Sequence, residues 1–378
     1  MYFLLKNQIK IFYKRLVSIF FSYLYGEIKI LSDSKVKKKI KLYKLKIKNY
    51  SFSLYKLQDC RIYTNYSTDI AYIVDNFITY PSIQFRNDVS FGIEHNEVLK
   101  IGTPKLLKKT NLKILSVLTG GGGNANYFHW LFDVLPRIFL FKKLFTLKQV
   151  DKILVPNIKY RFQYQTLKLL NIKKNQIINN ESYKHIYGKE VYATSHPAEN
   201  SEKISPILIY FLKKYFLKKI DNIKKKKIKK IYIDRSDSKS QIRDYRSIIN
   251  EEEIFNYLKK KGFVKVKLAE LDFIEQVYLF YYANCIFGLH GAGFSNLIFC
   301  KKNTKIIEVK PYGATTIYKN LAKKCRLNYF DLEIKPISKS IGLNYGQIFL
   351  PLKKIKNLIP QNSFINTCNF TPVLIINS

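Results

Sequence analysis

The sequence predicts an α/β protein whose C-terminal half holds a parallel sheet, and three observations carry that expectation. From residue 231 onward, short apolar strand patterns alternate with helical ones at regular spacing. Within that half, the apolar run at 285–289 ends abruptly at His290-Gly-Ala-Gly293 and resumes as a short helical pattern over 294–299. In the earlier half, strand-like segments at 113–118, 151–156 and 190–194 enclose a helical pattern at 160–170, so this half also reads as α/β.

The chain has 378 residues, more than one core normally spans, so two domains with appendages are expected. We divide it into a basic extension at 1–48, an acceptor-side domain at 49–200, a ligand-binding domain at 201–340 and a tail at 341–378 that packs back on the first domain. A formal charge of +39 is large enough to raise a nucleic-acid reading. However, the lysines are spread through the whole chain among Ile, Asn and Tyr, and no nucleic-acid motif is present, so no nucleic-acid partner is expected. The charge suits an anionic membrane face or acidic, phosphorylated substrates better. Five widely spaced cysteines form neither a CxxC pair nor a Cys/His cluster. They point to a reducing cytoplasm and give no sign of a disulfide framework or a zinc site.

The extension is lysine-rich and has one apolar stretch at 16–25, far below the ~20 residues that span a bilayer. Two readings are open for it, a helix lying on an anionic membrane surface or an amphipathic helix packed on the first domain. Residues 50–118 read as irregular β structure.

The second informative stretch is residues 119–137. Four of the fifteen glycines sit together at Gly120, Gly121, Gly122 and Gly123, just before the only tryptophan, Trp130. Glycine in ordered structure carries an entropic cost, so packing alone explains the cluster poorly. Asn124 or Asn126 would cap the helix that follows. His129 and Asp133, four apart, share a helical face, and Pro136 should kink the helix and redirect Arg137. Such a pair can transfer protons, with either residue as the base; the spacing is also compatible with half a metal site, for which no third ligand can be named, or with an ordinary surface pair. His185 and His196 fall in or near loops and read as structural or surface residues. A polar linker at 195–202 then leads into a helix at 205–219, and the lysines at 224–230 read as a solvated helix end.

In the second half, Asn250 caps a helix with an acidic first turn that ends at Lys259-Lys-Lys-Gly262. Asp272 and Glu275 form a capping-box variant. A strand, a small-residue turn and a helix N-terminus make an anion site, because unpaired N–H groups and the helix dipole converge there. Gly291 and Gly293 allow the backbone to approach the anion, with Ser295 and Asn296 in the first turn facing it. The stretch is neither G-x-G-x-x-G nor a P-loop nor a nucleophile elbow. The β-α alternation implies a parallel sheet with right-handed crossovers and puts its ligand at the strand carboxyl ends, where Arg235, Arg243, His290 and Glu308 fall.

Taken together, Gly122-Gly-Asn-Ala-Asn-Tyr-Phe-His129-Trp-Leu-Phe-Asp133-Val-Leu-Pro-Arg137, Tyr232-Ile-Asp-Arg235, Asn250-Glu-Glu, Leu271-Asp-Phe-Ile-Glu-Gln276, His290-Gly-Ala-Gly-Phe-Ser-Asn296 and Ile307-Glu308-Val-Lys-Pro311 resemble the glycosyltransferase family 61 group, over roughly residues 110–312. Bacterial members are often labelled capsular polysaccharide biosynthesis proteins. The resemblance implies a GT-B fold of two Rossmann-type domains facing a cleft, an inverting mechanism and a nucleotide-sugar donor held mainly by the second domain. Sugars moved by eukaryotic relatives include xylose, arabinose and N-acetylglucosamine. Phe294 stands where the family more often has leucine.

On that basis His290 and the backbone of Gly291, Ala292, Gly293 and Ser295, with Asn296, would hold the donor diphosphate. Arg235 and Arg243 would neutralise the leaving nucleotide. Glu308 would bind the ribose, and Asp133, with His129 second, would deprotonate the acceptor. Gly121, Gly122, Gly123, Asn124, Asn126, Trp130 and Arg137 would border the acceptor. No metal is required, because cationic side chains supply the charge. The acceptor would be a glycan, free or lipid-linked, and the protein would work in the cytoplasm, peripherally on the inner membrane face. The competing reading is a non-catalytic basic α/β protein that binds nucleic acid or anionic surfaces.

Overall fold

The computed structural model describes residues 2–64, 69–86, 89–119, 126–198, 204–236, 246–337 and 346–360. Among these, the strands form two main sheets, an 11-stranded mixed one in the first half and a 5-stranded one in the second.

The first sheet joins two styles of pairing. Its outer part is antiparallel except for the short edge strand Lys29–Ile30, which pairs parallel, and is built on the long strand Tyr50–Tyr63, which pairs with Ile40–Ile47 on one side and with Asp69–Val74 on another stretch. Residues 40–47 therefore belong to this sheet, although they read in sequence as part of the extension. Asp75 and Asn76 close the next hairpin with φ of 46° and 64°, the left-handed pair that a tight hairpin turn needs and that Asx side chains tolerate. The inner part is parallel: His185–Thr194 pairs with Lys113–Ser116, which pairs with Lys152–Val155, which pairs with Ile177–Asn179.

The second sheet is wholly parallel, as the alternation of elements predicts. Its spatial order is Val264–Lys267, Lys230–Asp234, Cys285–Leu289, Lys305–Pro311, Asn328–Ile334. Numbered along the chain this is 2-1-3-4-5, a doubly wound order in which the connections reverse direction between Lys230–Asp234 and Cys285–Leu289.

Local signals set the helix ends. The helix Phe273–Tyr282 opens with the Asp272/Glu275 capping box, and Gly262, at φ +79°, follows the helix Glu251–Lys260. Asn250 behaves differently from expectation. It makes no side-chain cap but exchanges both amide bonds with the backbone of Leu350, at 2.9 and 3.0 Å. That clamp brings in the C-terminal segment, whose Ile348, Leu350 and Ile355 are buried against Tyr232, Phe287 and Leu289. The tail as far as residue 360 therefore packs on the second sheet instead of returning to the first, because its apolar residues find their complement there.

The two sheets share one apolar core. Phe128, Trp130 and Phe132 from the first half are buried together with Phe273, Phe280, Phe294 and Phe299 from the second. The helix Pro206–Leu217, in the connection between the sheets, contributes Leu212 and Phe216 to the same core. No helix among the described residues is long and apolar enough to cross a membrane.

Candidate active site

Two clusters of polar side chains lie at strand carboxyl ends, one for each sheet. The first is built on residues 126–137. Asn126 caps the helix start, its side chain accepting from the N–H of Phe128 at 2.9 Å. The backbone then widens into a π turn over Trp130–Val134 before the helix Leu135–Phe141. Pro136 explains this: it lacks an N–H for the carbonyl four residues back and its ring crowds that group, so the irregularity falls on the turn before the proline.

Across the start of the π turn the predicted pair forms. His129 Nδ1 donates to Asp133 Oδ2 at 2.6 Å. Sequence reasoning missed the third member, His196, whose Nε2 lies 3.8 Å from Asp133 Oδ1. It arrives just past the end of the strand His185–Thr194, and only the parallel pairing of that strand with Lys113–Ser116 puts it beside the helix. Burial pushes the Asp133 carboxyl up, but the His129 hydrogen bond, the nearby His196 and Arg137 outweigh it and hold the pKa below the ordinary carboxylate range. The His196 imidazole is lowered by burial, with Asp133 pulling the other way.

Two residues expected beside the acceptor serve the scaffold instead. Trp130 is fully buried and donates Nε1–H to Thr166 at 2.8 Å. Arg137 is also buried; it donates to the carbonyls of Asp133 (3.1 Å) and Thr194 (2.7 Å), so it ties the π turn to the strand that delivers His196. Gly121, Gly122, Gly123 and Asn124 lie outside the described residues, as does Arg243.

The second cluster occupies the reversal point of the parallel sheet. His290 donates Nδ1–H to Glu308, whose other oxygen accepts from the Tyr329 hydroxyl. Glu308 is 1% exposed with both oxygens engaged, so it orients His290 and presents no surface to a ribose diol. The carbonyl of His290 accepts from Arg235 and, at 2.6 Å, from Arg246. Arg246 was missed because it sits on a loop with no periodic signal.

The glycine at 291 has a different use from the one expected. A Cβ there would lie 2.6 Å from Arg235 Nη1, so its absence makes room for the guanidinium and not for a ligand directly. Gly293 likewise admits Leu268, whose Cδ1 would be 2.8 Å from an added Cβ. The turn continues as a 3-10 helix from Ala292 to Phe299. Ser295 and Asn296 are fully buried within it. Asn296 accepts from the Tyr127 hydroxyl at 2.6 Å and donates to Gln276 at 3.0 Å, so it links the two halves of the molecule and does not face an anion.

The two clusters approach each other through a chain of ring contacts. Phe128, next to His129, makes an edge contact with Tyr318 at 6.2 Å, and Tyr318 lies 5.1 Å from the His290 ring. Arg235, Arg246, Glu251, Tyr232 and Leu289 line a pocket at the sheet reversal. Among the described residues no group of three or more His, Cys, Asp or Glu could hold a metal ion.

The glycosyltransferase 61 family matches residues 127–307, a stretch that starts beside His129 and ends one residue short of Glu308. Over these residues the chain is similar to glycosyltransferase family 61. Both polar clusters fall in the family 61 segment except for Glu308, Tyr318 and Tyr329 at its edge. Among curated proteins the chain is similar to the EGF domain-specific O-linked N-acetylglucosamine transferase of Gallus gallus, at 31% identity over 91 residues, 23% of this chain and 17% of that protein. It is also similar to the beta-1,2-xylosyltransferase XAX1 of Oryza sativa subsp. japonica, at 26% over 148 residues, 34% of this chain and 26% of that protein. The matches thus span well under a third of these relatives' length.

Proposed function

We propose that this protein is an inverting glycosyltransferase that moves a sugar from a nucleotide-sugar donor to a glycan acceptor. One observation carries the reading: Arg235 and Arg246 converge on the carbonyl of His290 where the parallel sheet reverses. Two guanidinium groups on one carbonyl concentrate positive charge at this point, and forked donors suit a diphosphate. Doubly wound sheets bind ligands at this reversal. The two sheets then correspond to the two lobes of a GT-B-like enzyme.

In this reading Arg235, Arg246 and His290, whose Nδ1 is committed to Glu308, hold the diphosphate through guanidinium groups and Nε2. Glu251, which lines the same pocket, takes the ribose role first expected of Glu308. Asp133 removes the proton of the acceptor hydroxyl while that oxygen bonds to the anomeric carbon. The bond from this carbon to the diphosphate breaks, and the arginines stabilise the departing negative charge. Cationic side chains supply the charge that a metal would otherwise bring. The setting we propose is capsule or surface-polysaccharide assembly on the cytoplasmic side, with a free or lipid-linked glycan as acceptor.

Calorimetry with a panel of nucleotide sugars tests the donor site. Binding to one of them should be lost in His290→Ala. In a transfer assay Asp133→Asn should fall by at least about a hundredfold while donor binding persists. Transfer that survives this change removes Asp133 as the base. Tight, salt-sensitive RNA binding without any nucleotide-sugar binding would replace the reading with a nucleic-acid one.

A further inference from the structure

Helix Tyr2–Tyr25 has two faces, and the fold accounts for only one of them. On the inner face Ser18 donates to the carbonyl of Ile101 at 2.8 Å, and the Tyr25 hydroxyl accepts from Leu107 N at 2.9 Å. Phe21 stacks on Tyr25 at 5.8 Å, and Tyr25 packs edge-on against His185 at 5.1 Å. These contacts hold the C-terminal half of the helix in one orientation.

On the outer face Leu5, Ile9, Phe12, Leu16, Ile19 and Tyr23 follow one another at intervals of four and three residues, and each is between 50% and 93% exposed. A stripe this long and apolar on a soluble surface marks an interaction site. The same spacing would serve pairing with a second copy, so charge must decide between the occupants. The helix carries Lys6, Lys10, Lys14 and Arg15 and no acidic residue. Residues 1–48 as a whole hold thirteen Lys and Arg against Glu27 and Asp33. Two such helices side by side would repel, with no acidic partner across the seam, whereas an anionic surface attracts both. The helix is not apolar enough to cross a bilayer, and its aromatic outer face suits the headgroup boundary.

We propose that helix Tyr2–Tyr25 seats the protein on an anionic lipid bilayer, its outer stripe inserted at the headgroup boundary and its basic residues drawn to the acidic lipids. This stands apart from the transferase reading and needs none of its residues. The test is co-sedimentation of the full-length protein with vesicles of phosphatidylcholine alone or mixed with phosphatidylglycerol. Binding should be strong only with the acidic lipid and should weaken as salt rises. Phe12→Ser combined with Ile19→Ser should lower partitioning by about tenfold or more, and Arg15→Glu should weaken binding to the acidic vesicles. An unchanged melting temperature would show that these exposed changes leave the fold intact. Equal binding to neutral vesicles, or no binding to either, overturns the proposal. So does a dimer in lipid-free sedimentation velocity that the Phe12/Ile19 variant abolishes, because the stripe would then be a seam between copies.

Discussion

A buried carboxylate between two imidazoles is the residue-scale feature on which the proposed chemistry turns. Asp133 stays ionised because donors surround it, and an ionised carboxylate is the form that can accept a proton. Its counterpart is the glycine at 291. That residue has an extended backbone, with φ 169°, so alanine is conformationally permitted there, yet its Cβ would fall 2.7 Å from Arg235 Cζ. Gly291→Ala should therefore displace the guanidinium without unfolding the protein. We expect donor affinity to drop by about tenfold to a hundredfold, the loss that follows removal of a hydrogen bond to a charged group, with a near-normal melting temperature. A variant that binds donor normally would show that Arg235 takes no part in binding.

At the scale of elements, the helical turn Tyr127–His129 that leads into the π turn of the first half and the 3-10 helix Ala292–Phe299 of the second are joined by a polar contact inside an apolar core, Tyr127 to Asn296. Burial pushes the Tyr127 hydroxyl well above its usual range, so it remains a donor. Tyr127→Phe should cost about 1 kcal/mol of stability and Asn296→Ala more, since the buried Gln276 Oε1 then also loses its donor. A double-mutant cycle measured by urea unfolding should give a coupling of about 0.5–3 kcal/mol. Strict additivity would mean that the contact does not join the halves energetically. The Asn250–Leu350 clamp follows the same logic: an asparagine suited to cap its own helix satisfies a distant strand end instead.

For the molecule as a whole, acid stability should depend on His185. It is 1% exposed, packed between Tyr25 and Tyr63, and its Nε2 has no hydrogen-bond partner. Burial, with a further contribution from Arg61, lowers its pKa from 6.5 to about 4. The folded pKa lies below the unfolded one, so the unfolded chain takes up the proton first and stability falls as pH drops from about 6.5 to about 4. The full loss is on the order of 3 kcal/mol. Urea midpoints measured across that window should decline in the native protein and decline less in His185→Gln. Equal declines would place the acid sensitivity elsewhere.

The alternation of strand and helix after residue 231, the His129–Asp133 spacing, the capping box at Asp272 and the family motifs are local features, and the sequence by itself determined them. Neighbours along the chain enforce these features whatever the rest of the molecule does. Only the tertiary structure decided which polar residues meet. His196 comes to Asp133 through the parallel pairing of strands about seventy residues apart in sequence. Arg246 comes to His290 across the sheet reversal, while Glu308, Asn296, Trp130 and Arg137 withdraw into the scaffold. The physical reason is that a polar side chain inside a core must find a partner wherever packing places it. Whether such a residue faces a ligand or a neighbouring strand is therefore set by the sheet order and not by its position in a motif.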